Sequence, residues 1–248
     1  MKEHILSQTS NVKAGLKALN YLVDRPVGNM VGLGLIWGPP GIGKTHFAMR
    51  MCLQRGFVYT YLTANDTSKV LVKRILESVL VNYGLSDQVM QQGSTSTLFQ
   101  RLKDVLNNNT TEGHTPIIFI DEIDYAFGKS REVLFGTIRD IVDHTAAVLM
   151  LIGMGEAREK LLKLNRHYFA RCNYFCNFKP ITGEDAKLIC NDIADIELDD
   201  GLINFIAASS KGDIRNVIKM IYDAESLAEQ LGRERIGLRD YELSARAV

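Results

Sequence analysis

Apolar residues follow two kinds of pattern along this chain, and the change from one to the other predicts its layout. Short continuous apolar runs at Val31 to Trp37, Ile117 to Ile120 and Ala147 to Ile152 read as strands buried on both faces. A parallel sheet covered by helices buries strands that way. Phe57 to Leu62, after Gly56, reads as a further strand. Between these runs apolar positions recur at helical spacing. They are Val12, Leu16, Leu19, Tyr21 and Leu22, then Phe47, Ala48, Met49 and Met51, then Val70, Leu71, Ile75, Leu76, Val79 and Leu80, then Leu98, Leu102, Val105 and Leu106. A helix is also expected from about Arg131 to Val142. Strand and helix therefore alternate, as a doubly wound α/β sheet requires.

From Thr182 onward the strands stop. Ala186, Ile189 and Ile193, then Leu202, Ile203 and Ile206, then Ile214, Val217, Ile218, Ile221 and Leu227 form helical faces separated by Asp/Gly turns. The expected organisation is a nucleotide-binding α/β domain over residues 1–179, with a short N-terminal helix, and a small all-helical lid over 180–248. Polar segments punctuate it: Thr63 to Ser68 as a turn and helix cap, Gly93 to Ser96 as a loop, and Asn107 to Thr115 as a surface connection. No internal repeat or low-complexity tract is visible.

The chemistry sits where this pattern places it. Gly38-Pro39-Pro40-Gly41-Ile42-Gly43-Lys44-Thr45 follows the first apolar strand and leads, through His46, into a helix, which is the context a phosphate-binding loop needs. The glycines let successive backbone N–H groups turn toward phosphate oxygens, and the helix N-terminus adds its positive end. Lys44 is expected to reach the β- and γ-phosphates of ATP, and the Thr45 hydroxyl to hold Mg²⁺. A second signal supports the first: the strand Ile117 to Ile120 ends in Asp121 and Glu122. Ligands of open α/β sheets sit at the carboxyl ends of strands, so both acids belong beside the phosphate loop. Asp121 suits the magnesium shell, and Glu122 suits orienting the attacking water or accepting its proton.

Composition narrows the partners. With Lys plus Arg and Asp plus Glu equal at 29 each in 248 residues, the formal charge is zero, and no global basic field draws the chain to nucleic acid. Any DNA contact must come from a local cluster. Lys69, Lys73 and Arg74 offer one, with Lys69 and Lys73 four apart on one helix face, and the Ser94 to Thr97 loop offers hydroxyls, Thr97 among them. Neither carries interleaved aromatics, so backbone contact to double-stranded DNA with little sequence readout is expected. Cys52, Cys172, Cys176 and Cys190 lack zinc-site spacing, and His114, His144 and His167 do not complete one, so the thiols read as reduced and structural. No apolar stretch approaches membrane-spanning length, and a cytoplasmic protein without a membrane partner is expected.

Two arginines refine the reading. Ala170-Arg171-Cys172-Asn173 precedes the aromatic stretch Tyr174 to Phe178, where Arg171 could reach the γ-phosphate on a neighbouring subunit, and Arg215 in Gly212-Asp213-Ile214-Arg215 could reach phosphates in its own chain. Taken with Gly38 to Thr45 and Ile117 to Glu122, these segments resemble the Walker A, Walker B, arginine-finger and sensor 2 positions of the AAA+ ATPases. Within that superfamily, Leu149 to Glu156, Arg158 to Leu164, the Arg171 segment and Pro180 to Asp185 look like the transposition-targeting ATPases of the phage Mu B, TniB and TnsC kind. That resemblance implies ATP-dependent rings or helical filaments on DNA that recruit a transposase. The alternative is a helicase-loader or replication-initiator ATPase with a replicative helicase as partner. A small-molecule P-loop kinase fits the acid pair and helical lid less well, and a non-hydrolysing nucleotide-dependent scaffold is a further reading. The superfamily pattern also implies a polar sensor 1 residue where this chain has Met154, so slow turnover is expected unless Glu156 or Thr145 compensates.

Overall fold

A computed structural model describes residues 1–2, 5–88, 92–110 and 115–245 of the chain. His114 lies outside these residues, as does Ala247 at the end of a helix expected from Leu238 to Ala247. The elements in order are α1 (Ser10–Val23), β1 (Gly32–Trp37), α2 (Lys44–Arg55), β2 (Val58–Tyr61), α3 (Ser68–Asn82), α4 (Thr95–Asn108), β3 (Ile117–Asp121), α5 (Glu132–His144), β4 (Val148–Gly153), α6 (Ala157–Leu164), α7 (Arg166–Arg171), β5 (Tyr174–Asn177), α8 (Gly183–Ile193), β6 (Glu197–Leu198), α9 (Asp200–Ser209), α10 (Ile214–Leu231), β7 (Arg235–Ile236) and α11 (Leu238–Ala245). They fall into two compact units: Gly15–Gly38 with Lys44–Asn177, and Met1–Ala14 with Pro39–Gly43 and Phe178–Val248.

The first unit is a parallel five-stranded sheet in the order β2-β3-β4-β1-β5 with helices on its faces, the expected doubly wound fold. Because strand side chains alternate, Leu33 and Leu35 of β1, Ile118 and Ile120 of β3 and Leu149 and Leu151 of β4 share one face. They are buried with Ile75 and Val79 of α3, Leu102 of α4 and Ile138 of α5. The opposite face holds Phe119, whose ring meets the edge of Phe47 from α2 at a centroid distance of 6.0 Å. There α1 lies so close that a Cβ on Gly34 would stand 2.7 Å from Leu22 Cδ1, which is why the middle of β1 tolerates a glycine. Buried Arg25, just past α1, donates to the carbonyls of Leu22, Met30, Ala146 and Ala147, joining the end of that helix to the segment before β4.

Two segments differ from the sequence reading. The aromatic stretch after Arg171 forms β5, an edge strand beside β1, too short for its period to show. Ser94 is the N-cap of α4 and accepts the Thr97 N–H at 3.1 Å, so Thr97 stands in the first helical turn and not in a loop.

The second unit is mostly helical. Ile189, Leu202, Ile206, Val217, Ile221 and Ala224 form its core. A capping box starts α8: the Thr182 side chain accepts the Asp185 N–H while Asp185 accepts the Thr182 N–H. Asp185 also accepts the Ser10 N–H at 2.8 Å and the Ser10 hydroxyl, which fastens the start of α1. The unit is not purely helical, since β6 and β7 pair in parallel, Glu197 opposite Arg235. No described helix is long and apolar enough to cross a membrane. The four cysteines are free, and burial pushes the Cys172 thiol up to about 12 and Cys190 to about 11, which disfavours the nucleophilic thiolate at these two.

Candidate active site

Parallel strands deliver their C-terminal residues to one edge of the sheet, and in the first unit that edge gathers the candidate catalytic groups. The Thr45 hydroxyl, in the first turn of α2, donates to Asp121 Oδ2 at 2.7 Å. Asp121 is buried at the end of β3, and its Oδ1 accepts the Glu122 N–H at 2.7 Å. Lys44 is buried too, with Nζ 2.8 Å from the Gly38 carbonyl at the end of β1. A hydroxyl beside one carboxylate is a donor set that suits Mg²⁺, which keeps waters and takes its remaining ligands from substrate phosphates. Among the described residues no group of three His, Cys, Asp or Glu side chains is placed to hold a metal by itself.

Glu122 is exposed and adopts a left-handed backbone, φ 55° and ψ 39°. For a residue other than glycine this costs about 1–2 kcal/mol. Its carboxyl is raised above the ordinary carboxylate range, first by partial enclosure and then by the charges of Asp121 and Asp124, with Lys44 opposing. A carboxylate made more basic is better matched to taking a proton from water.

In the second unit, Gly41 and Gly43 have φ of 82° and 88°, and a Cβ on Gly41 would fall 2.2 Å from Asp213 Oδ2. Both positions therefore need glycine. The Gly41 carbonyl accepts the Ile214 N–H at 2.9 Å, and Ile42 is buried. Asp213 caps α10 by accepting the Arg215 N–H at 2.7 Å, and its carboxylate stands 3.7 Å from the exposed Arg215 guanidinium. Pro39 and His46 are exposed.

The remaining candidates are distributed elsewhere. Arg171 ends α7 and is held by Asp143 of α5 through Nε at 2.9 Å. Lys69 is exposed on the first turn of α3, and Lys73 pairs with Glu77 at 3.6 Å. Arg74 is committed to structure: it makes a two-pronged contact with buried Asp66 at 2.7 and 3.0 Å and covers the Tyr61 ring at 5.1 Å. Thr97 shares a hydrogen bond with Ser94 Oγ at 2.8 Å.

Met154 stands just beyond β4. Thr145 cannot compensate for it. It precedes β4 and donates to the Ile141 carbonyl at 2.7 Å, so it lies at the N-terminal edge of the sheet, about 20 Å of strand away from the acids. Glu156 faces solvent and Lys160, 3.7 Å away.

Sequence reasoning missed three residues. Tyr59 of β2 donates to Asp121 Oδ2 at 3.1 Å, and burial together with the Asp121 charge pushes its phenol well above the usual range. Its signal was the strand itself, in which Tyr59 precedes the residue opposite Asp121 by two. Asp124 was visible as a further acid after Asp121-Glu122. Asp143 carried no signal, because its pairing depends on the packing of α5 against α7.

Comparison with known proteins agrees with this geometry. The AAA domain family matches residues 30–161, more than half of the chain. The replication factor C large subunit of Archaeoglobus fulgidus is 26% identical over 220 residues, covering 86% of this chain and 40% of that protein, so the chain spans less than half of this relative's length. The Aeropyrum pernix ORC2 structure, determined as ADPNP and ADP complexes, superposes with a TM-score of 0.67 at 16% identity, covering 97% of this chain and 68% of that one. The Aeropyrum pernix ORC1 structure in complex with DNA gives 0.62 at 20% identity, covering 98% and 66%. At these identities the structural likeness is one of fold. With the phosphate loop after β1, the acid pair after β3 and the family match across both, this chain belongs to the AAA+ ATPase family.

Proposed function

We propose that the chain is an ATP-dependent, DNA-associated AAA+ ATPase of the replication-initiator and loader kind. The observation that carries the nucleotide reading is the Thr45 hydroxyl placed 2.7 Å from Asp121, with buried Lys44 next in sequence. Gly38, Gly41 and Gly43 allow the loop to wrap phosphates, Lys44 supplies positive charge, and Thr45 with Asp121 would hold Mg²⁺. Magnesium, when bound, neutralises charge on the β- and γ-phosphate oxygens. Glu122 orients a water and takes its proton. Arg171 supplies charge to a neighbour's γ-phosphate, its Nε held by Asp143, and Arg215 acts in its own chain. In this proposal residues 180–248 act as the lid.

DNA association draws support from the relatives' names, replication factor C and ORC1 in complex with DNA. Those relatives favour the replication-type reading over the transposition-targeting one, which draws no support from them. Self-assembly into a ring or filament on double-stranded DNA belongs to the proposal, with a replicative helicase as partner and a transposase as the competing outcome.

The deciding experiment has two arms. Lys44→Ala is expected to abolish ATP binding in a titration, and wild-type affinity would refute the nucleotide site. Fluorescence anisotropy with duplex DNA is expected to show binding that requires ATP. Capture of helicase or of transposase by the ATP-bound wild type then separates the two partner readings.

A further inference from the structure

One acid beside the site has partners that none of these roles uses. Asp124 lies two residues after Glu122, in the single turn of 3-10 helix (Ile123–Ala126) that leaves β3. Its Oδ2 accepts the Met154 backbone N–H at 2.6 Å, and its Oδ1 meets Lys160 Nζ at 3.1 Å. Met154 directly follows β4, and Lys160 is on α6. A single carboxylate therefore joins the turn that carries Glu122, the end of the neighbouring strand and the helix after it. The approach is tight: a Cβ on Gly153 would fall 2.9 Å from Ile123 Cγ2 and 3.0 Å from Asp124 Oδ2. Glycine at the end of β4 is what lets the two segments close. Glu122 itself sits in a left-handed conformation, and such strain persists only when surrounding structure holds it.

We infer that Asp124 is a positioning residue for ATP hydrolysis, clamping the turn to the Met154 peptide and to Lys160 so that Glu122 keeps its left-handed backbone. The inference rests on the hydrolytic reading of Glu122. It also gives Met154 a part that its side chain cannot play. Where the superfamily couples this strand end to the site through a polar side chain, here the Met154 N–H couples it to the acid turn through the backbone. Lys160 balances the charge of the partly buried carboxylate, which a lone acid there would lack.

The test uses the full chain as wild type, Asp124→Ala, Asp124→Asn and Lys160→Met. Phosphate release at saturating ATP, affinity for a fluorescent ATP analogue, Tm and amide exchange are measured. Asp124→Ala is expected to lower kcat about tenfold or more with analogue affinity unchanged, as small misplacements of catalytic groups do. Exchange should speed up at Met154 and across residues 122–127, with exchange in the core strands unaltered. Asp124→Asn should recover part of kcat, because its amide oxygen still accepts the Met154 N–H, and Lys160→Met should lose less than Asp124→Ala. Wild-type exchange at Met154 and the turn in Asp124→Ala would overturn the clamp. So would wild-type kcat, or a loss of kcat that only tracks falling Tm and affinity. Should the wild type itself release no phosphate, the hydrolytic reading fails, while the exchange comparison still decides the clamp.

Discussion

In the role proposed for it, Glu122 trades stability for chemistry. Its folded-state pKa is raised, so the ionised form is disfavoured in the folded chain. The resulting destabilisation is absent below the ordinary carboxylate range, sets in as pH rises through it, and is fully present above the raised value. Glu122→Gln is therefore expected to raise Tm at pH 7 without nucleotide or magnesium, with the difference vanishing near pH 4. The same variant should bind ATP and lose about 100-fold or more in phosphate release, as removal of a general base does. Unchanged turnover would remove Glu122 from its role. Arg25 works in the opposite sense. Its guanidinium satisfies four carbonyls in the interior, so Arg25→Met should cost about 3 kcal/mol in urea unfolding with little effect on ATP affinity.

At the scale of elements, capping and tethering decide where helices start. Asp185 is buried, and burial alone would raise its pKa. Hydrogen bonds from Ser10 and Thr182 outweigh burial and hold it below the ordinary carboxylate value. Its contribution is thus present above the unfolded-state pKa and lost as pH falls through the lowered folded-state value. Asp185→Ala should destabilise by about 2–3 kcal/mol at pH 7, since it removes a cap and a charged acceptor together. The gap between variant and wild type should close as the solution is acidified below about pH 3. Arg74 presents a similar choice between structure and function. As it is committed to Asp66, Arg74→Ala should lower Tm, whereas Lys69→Ala should leave Tm alone and weaken ATP-dependent DNA binding. The reverse pattern would move the DNA surface away from α3.

At the scale of the molecule, formal charge is zero, so in the proposed reading affinity for DNA would be assembled from a few phosphate contacts per subunit repeated along a track. Binding to duplex DNA is expected to require ATP, to show little sequence preference and to weaken steeply with salt. Tight, salt-insensitive binding by a nucleotide-free monomer would contradict this. Arg171→Ala is expected to keep ATP affinity while losing the rise in turnover with protein concentration that a residue supplied in trans produces.

What the chain's own order of residues determined is the set of strands, helices and contiguous motifs. The runs that became β1, β3 and β4 are apolar on both faces, the helices repeat at 3.6 residues, and the phosphate loop with the Asp121-Glu122 strand end are contiguous motifs whose backbone needs are written in glycines and acids. The tertiary structure alone decided the pairings. Asp143 with Arg171, Asp124 with the Met154 peptide and Ser10 with Asp185, 175 residues apart, follow from which helix packs on which strand. Edge strand β5 and the commitment of Arg74 to Asp66 were hidden for the same reason. A side chain's partner is set by distance in space, and only the folded chain brings such residues within reach of a hydrogen bond.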